Sequence, residues 1–190
     1  MFEPLVQPAD IFFSASNGFL GRGIRWATRH RGEEKTLFNH VGVFIEPDRM
    51  GQATLVEASG RVRVSKIDES YRDTDCLIAV ARPLGLTDDE KGDIAFDAIE
   101  KVGNKYGWMK IIGFLGDALL SKIFGGDPVF FRRFFFFRTR PVCSQVVAEL
   151  YQEYGYSFGV PGGYATPDQI WDFVLTHPKK YEIIFGPTRI

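Results

Sequence analysis

Asn39-His40-Val41-Gly42-Val43-Phe44-Ile45 is the stretch on which the fold turns. Apolar and β-branched residues dominate it, and Glu46-Pro47-Asp48 ends it, so it reads as a strand. A second strand follows over Ala53 to Ala58, and the two form a hairpin. Arg61-Val62-Arg63-Val64-Ser65 alternates polar and apolar, as a half-exposed strand does. Upstream, residues 10–15 (Asp-Ile-Phe-Phe-Ser-Ala) read as a short buried strand. Downstream, Cys76 to Ala81 is a continuous apolar run that suits a central strand, closed by Pro83. Gly18, Gly21 and Gly23 break the pattern after the first strand, and Ile24 to Arg29 forms a helical turn or two.

Helices come later in the chain. Thr87-Asp88-Asp89-Glu90 is a capping box, and Ile94, Ala95, Ala98, Ile99 and Val102 form the expected buried stripe up to Gly103. A second helical pattern covers 108–124 and is broken by Gly125-Gly126-Asp127-Pro128. A third helix starts at Cys143 and reaches about Tyr154, before Gly155. Thr166-Pro167-Asp168-Gln169 opens a fourth, with Thr166 as cap and Pro167 at the first helical position. Tyr181 to Phe185 reads as a closing strand. Strands first and helices after predict an α+β class with an antiparallel sheet, or partial barrel, packed against helices. The chain has no internal repeat and no low-complexity linker, so 190 residues make one domain.

Composition narrows the function classes. A formal net charge of −1 gives no whole-molecule attraction to nucleic acid. Two cysteines, Cys76 and Cys143, are too few for a disulfide scaffold. Residues 1–8 lack a basic cluster followed by an apolar run, so no signal peptide is expected and the default location is cytoplasmic, with signal-independent export left open. Charges interrupt every apolar stretch before it reaches bilayer length. Metal-ligand spacings such as His-x-x-x-His or Cys-x-x-Cys do not occur, and no metal or other cofactor is expected.

The chemistry-bearing residues are few. Cys143 stands on the first turn of an amphipathic helix, where the positive end of the dipole favours a thiolate. Cys76, inside an apolar strand, reads as core. A thiol nucleophile needs a base and something to orient that base. Of the three histidines, His30 lies in a basic loop and His177 precedes Pro178 at a helix end, whereas His40 opens a strand that holds its ring rigidly. Glu57 lies in an apolar run on the pairing strand and needs a partner there. It can accept the second ring N–H of His40 and so fix the tautomer. Asn39 is adjacent in sequence and points to the opposite face. Each residue also has a structural reading: Cys143 as a small buried hydrophobe, His40 as a structural ring, Glu57 as a surface group on an open hairpin face.

The order His40, Glu57, Cys143 resembles that of the circularly permuted NlpC-type papain-like hydrolases, the YaeF/YiiX-like amidases among them, in which the His strand precedes the Cys helix. Ala9-Asp10-Ile11-Phe12-Phe13 is similar to their opening Gly-Asp-hydrophobic strand, with Ala9 in place of Gly. Asn39-His40-Val41-Gly42-Val43 is similar to their Ser-His-Val-Gly-Ile strand, and Val56-Glu57-Ala58 to their acid strand. Val142-Cys143-Ser144-Gln145-Val146-Val147 is similar to their Tyr-Cys-Ser-Glu-Leu-Val helix start, with Val142 and Gln145 as departures. Ala165-Thr166-Pro167-Asp168-Gln169-Ile170 is similar to their Ser-Pro-Asp-Asp-Leu turn. The resemblance implies a papain-like fold, with Cys143, His40 and Glu57 catalytic in a cysteine amidase or peptidase that cleaves a small peptide or cell-wall-derived amide. It also implies that Tyr106, in Gly103-Asn104-Lys105-Tyr106-Gly107-Trp108, borders the site or aids the oxyanion, with Trp108 and Ser144 as further substrate contacts. Lipid acyl transfer or deacylation of the lecithin–retinol acyltransferase type, and a papain-like shell that binds peptide or lipid without turnover, are the alternatives.

One segment stands apart. Of the 18 phenylalanines, many fall within Phe130-Phe131-Arg132-Arg133-Phe134-Phe135-Phe136-Phe137-Arg138, inside an apolar insertion at about 108–138. Rings interleaved with cations suit a lid over the cleft, a peripheral membrane contact, or a core or dimer contact.

Overall fold

The computed structural model describes residues 5–16, 37–72, 74–105 and 143–189. The element order is β1 (Ile11–Ala15), β2 (His40–Phe44), β3 (Thr54–Ser59), β4 (Arg61–Lys66), α1 (Ile67–Tyr71), β5 (Leu77–Pro83), α2 (Asp88–Glu100), α3 (Cys143–Glu153), α4 (Pro167–Thr176) and β6 (Tyr181–Arg189). The expected insertion at 108–138, its Phe130–Arg138 segment, Tyr106, Trp108, His30 and the turn at 24–29 lie outside the described residues.

The strands form one open sheet in the order β4-β3-β2-β1-β5-β6, and every neighbouring pair is antiparallel. Successive side chains point to opposite faces. Ile11, Phe13, Val41, Val43 and Val56 face Val146, Val147 and Leu150 of α3, with Ile170 and Trp171 of α4, in the larger core. Phe12, Phe44, Leu55, Ile78 and Val80 form a second core with Ile67, and Tyr71 packs against it. Cover on both faces explains why the strands read as nearly unbroken apolar runs. Each large aliphatic or aromatic side chain buried this way contributes about 1.5–3 kcal/mol.

Both expected capping boxes form. Thr87 accepts from the Glu90 N–H while Glu90 reaches back to the Thr87 N–H, and Thr166 and Gln169 do the same at α4. The stripe on α2 is narrower than its spacing implies. Ile94, Ala95 and Ala98 are buried, but Ile99 and Val102 are exposed. Ile99 sits one residue further round the helix than Ala98, and Val102 lies beyond the helix end, so neither reaches the core.

Two backbone features bear on the site. Ala9, where the resembling sequences have Gly, adopts φ 64°, the left-handed region an L side chain enters only at a cost of about 1–2 kcal/mol. Its N–H donates to Phe44 O at 3.0 Å and its carbonyl accepts from the Tyr151 hydroxyl, which holds the conformation in place. Gly42 pairs with Glu57 across β2 and β3. A Cβ at Gly42 would lie 2.8 Å from Leu55 Cδ1 and 2.9 Å from the Val56 carbonyl oxygen. Backbone cannot yield as a side-chain tip does, so Gly42→Ala pushes β3 away from β2. The expected destabilisation is about 1–3 kcal/mol, read as a lowered urea midpoint. An unchanged midpoint would show that the strands have slack there.

Candidate functional site

The site is built where β2, β3 and the start of α3 meet. His40 is the first residue of β2 and pairs with Ser14 on β1. The chain entering it is fixed from three sides. The Asn39 N–H donates to Ser14 O at 3.2 Å. The Asn39 side chain donates to Ser16 O at 3.1 Å and accepts from the Ser16 N–H at 3.3 Å. Just before Asn39, the Leu37 and Phe38 N–H groups donate to Asp168 Oδ1 at 2.9 and 3.3 Å.

Glu57 lies opposite Gly42, two residues along the strand from His40. With no side chain at Gly42, the carboxylate crosses diagonally to the His40 ring, a reach that strand geometry permits. His40 Nε2 meets Glu57 Oε2 at 2.7 Å. The hairpin at Gly60, φ 78°, sets Arg63 opposite Glu57 and Ser65 opposite Leu55, on the same face. Arg63 donates to Glu57 Oε1 through Nε at 3.2 Å and Nη2 at 2.9 Å, and the Ser65 hydroxyl donates to it at 2.6 Å. The Tyr71 hydroxyl donates to Oε2 at 2.6 Å. Both carboxylate oxygens are therefore fully engaged. A buried carboxylate is expensive in isolation, and this one is neutralised by two cations and two hydroxyls.

The electrostatics follow from those contacts. Burial acts against the Glu57 charge, but the hydrogen bond and charge of His40, with Ser65 and Tyr71, hold its carboxyl well below the ordinary range. Burial, then the charge of Glu57 and the hydrogen bond to it, push the Tyr71 hydroxyl far above its usual value, while a hydrogen bond with Ser14 acts the other way. His40 is pushed up to about 10: burial alone would lower it, and the charge of Cys143, the hydrogen bond with Cys143 and then Glu57 outweigh that.

Cys143 opens α3 and is buried. Its side chain hydrogen-bonds His40. Because Nε2 belongs to Glu57, Nδ1 is the ring nitrogen left for the thiol. One imidazole thus links a sulfur and a carboxylate that enter from opposite ends of the chain. Such a linkage holds the ring in one tautomer and stabilises its protonated form beside a thiolate.

The remaining sequence-selected residues fall as follows. Ser144 is buried, and its hydroxyl donates to Ala165 O at 2.5 Å, which ties the start of α3 to the turn before α4. Cys76 is buried in the second core. His177 caps α4, its Nδ1 2.8 Å from Phe173 O and its ring stacked on Phe173. Sequence reasoning missed Arg63, Ser65 and Tyr71. The first two could have been found from a hairpin centred on Gly60, which dictates who faces Glu57. Tyr71 sits on a five-residue helix whose start has no capping side chain, and nothing local announces it.

No family model matches the chain, and no curated protein matches it in sequence. Among solved structures, the fold is similar to the crystal structure of metalloprotein YiiX from Escherichia coli O157:H7, of DUF1105. The architecture is YiiX-like. The TM-score is 0.55 at 20% identity, over 82% of this chain and 71% of that one. A likeness at that identity concerns the fold. YiiX is described as a metalloprotein, but the described residues of this chain do not fit a metal. Among the described residues no group of three or more His, Cys, Asp or Glu side chains is arranged to hold an ion. Glu57, the carboxylate bonded to His40, already has donors on both oxygens. Among the described residues, no helix is long and apolar enough to cross a membrane.

Proposed function

We propose that the chain is a papain-like cysteine hydrolase of the permuted NlpC type, with Cys143 as nucleophile, His40 as acid and base, and Glu57 as the group that orients His40. The observation that carries this reading is the single His40 ring hydrogen-bonded to both Cys143 and Glu57. The reaction is acyl transfer to water. The Cys143 thiolate attacks the carbonyl carbon, a C–S bond forms, and the carbonyl electron pair moves onto oxygen. The Cys143 N–H, at the first residue of α3, is the proposed donor to that oxyanion. As the C–N bond breaks, the His40 imidazolium gives its proton to the leaving amine. Neutral His40 then takes a proton from water, hydroxide adds to the thioester, and the acid product leaves as the thiolate is restored.

Glu57 does not exchange protons in this scheme. Its five hydrogen-bond donors keep it ionised, so it acts as a fixed negative charge beside the ring. Ser144 acts by holding the nucleophile's helix in place. Small amides, such as cell-wall-derived peptides, are the first substrates to try. Tyr106 and Trp108 are carried as substrate contacts, and Phe130–Arg138 as the segment that would meet lipid, on sequence grounds alone.

Thiol labelling tests the nucleophile. Cys143 and Cys76 are 5% and 7% exposed, so access does not favour either. Their labelling ratio therefore reports thiolate character. An ordinary thiol is only a few per cent ionised at neutral pH, so an ion-paired Cys143 is expected to react about tenfold faster or more. Iodoacetamide labelling followed by peptide mass spectrometry reads the ratio, and equal rates would remove the activated thiol. Peptide and acyl-lipid panels then separate amide hydrolysis from lipid acyl transfer.

A further inference from the structure

The turn over 163–168 touches both halves of the site, although it contributes no reacting atom. From its start, Gly163 O accepts from the Gln145 side-chain amide, and Ala165 O accepts from the Ser144 hydroxyl. Both donors directly follow the nucleophile on α3. From its end, Asp168 Oδ1 receives the Leu37 and Phe38 N–H groups, which lead into His40. Asp168 and Ser144 are both buried, and the bonds from Phe38 to Asp168 and from Ser144 to Ala165 are buried with them. The turn itself is rigid: Thr166 and Gln169 form the capping box, and Pro167 occupies the first helical turn. Behind it, Trp171 packs its ring 4.8 Å from that of Phe38 and 5.1 Å from that of Phe13.

We propose that Asp168 is a positioning residue which, through this turn, sets the distance between the Cys143 sulfur and the His40 ring. This rests on the Cys143–His40 reading above. The α3 start and the β2 start come from parts of the chain about a hundred residues apart. The turn is bonded to each. Loss of the Asp168 carboxylate leaves the buried Phe38 N–H and the part-buried Leu37 N–H without this acceptor, and the 37–38 segment shifts to find another, pulling on Asn39 and His40. His40 moves with it, while Cys143 stays with Ser144 and Ala165. A displacement of about 1 Å between reacting groups lowers turnover by up to about 100-fold.

The test compares Asp168→Ala, Asp168→Asn and the unaltered protein by NMR titration of the His40 ring and by kcat and KM. The groups facing that ring are Glu57 and Cys143, with Arg63 and Tyr71 bonded to the same carboxylate. In Asp168→Ala the His40 pKa is expected to fall from its raised value, because the ring leaves the thiolate, and kcat to drop roughly 10- to 100-fold with little change in KM. Asp168→Asn keeps an oxygen acceptor and is expected to restore the titration. If Asp168→Ala fails to fold, Ser144→Ala breaks the other arm of the same turn and is expected to lower the His40 pKa in the same direction. A raised pKa that is unmoved in these variants overturns the positioning role while leaving the Cys–His pair intact. An ordinary His40 pKa in the unaltered protein overturns the pair itself, and the positioning role with it.

Discussion

On the proposed mechanism, Cys143→Ala is expected to abolish turnover, lowering kcat/KM by roughly 10⁴-fold or more, while leaving the fold intact. Removal of a covalent nucleophile leaves only binding and oxyanion stabilisation, which is why the loss is of that size. Ala is close in volume to Cys, and the position is buried among Val146, Val147 and their neighbours, so the melting temperature changes little. The same substitution has a second signature. The charge of Cys143 is the largest influence raising His40, so its loss lowers the ring pKa from about 10. The sign follows directly: a base beside a negative charge holds its proton more tightly, and without that charge it releases it sooner. Kinetics on the substrate found by panel screening, with NMR titration of the ring, checks both. Turnover that survives in Cys143→Ala would place the nucleophile elsewhere.

Glu57→Leu is expected to lose about 3–5 kcal/mol of stability and most activity. Leu fills the volume but accepts nothing, so the Ser65 and Tyr71 hydroxyls and the His40 ring lose their shared acceptor in the interior. Arg63 suffers least, because its side chain is 53% exposed and water replaces the carboxylate. Glu57→Gln falls between, since its amide keeps one oxygen and places N–H groups against donors. Urea unfolding against pH separates charge from shape. The folded-state pKa of Glu57 lies below its ordinary 4.5, so its stabilisation is present above that value and disappears as pH falls through the lowered range. The gap between the unaltered protein and Glu57→Gln therefore narrows in acid. His40 runs the other way: its pKa is raised from 6.5 to about 10, so its contribution is complete below 6.5 and lost as pH rises toward 10. A gap that stays constant across both ranges would mean that Glu57 matters only for packing.

The sheet and most helix starts were legible because they depend on local signals. Period-two alternation marked Arg61 to Ser65, and capping boxes marked Thr87 and Thr166 to the residue. His40, Glu57 and Cys143, which the structure brings together, could be singled out because each is conspicuous where it stands: a ring opening a strand, a charge in an apolar run, a thiol at a helix start. Tertiary partnerships were less so. Arg63 and Ser65 were visible only as the polar half of an alternating strand, and their convergence on Glu57 depends on register. Tyr71 reaches the site because α1 folds back beneath the sheet, which no short-range rule predicts. The Asp10–Arg82 pair, bonded through Nε at 2.8 Å and Nη2 at 2.7 Å, joins residues 72 apart and was likewise hidden. Ile99 and Val102 failed for the opposite reason: spacing shows which side of a helix is apolar, not how wide the surface it meets will be.

The bond from Leu37 to Asp168 spans 131 residues of chain, and this has a consequence for biosynthesis. On the ribosome β2, β3 and β4 emerge early and can pair through neighbouring hairpins, long before Cys143 and Asp168 are translated. The imidazole is thus in place while its thiol is still missing. The proposed Cys143–His40 pair can therefore assemble only after α3 and α4 have been made.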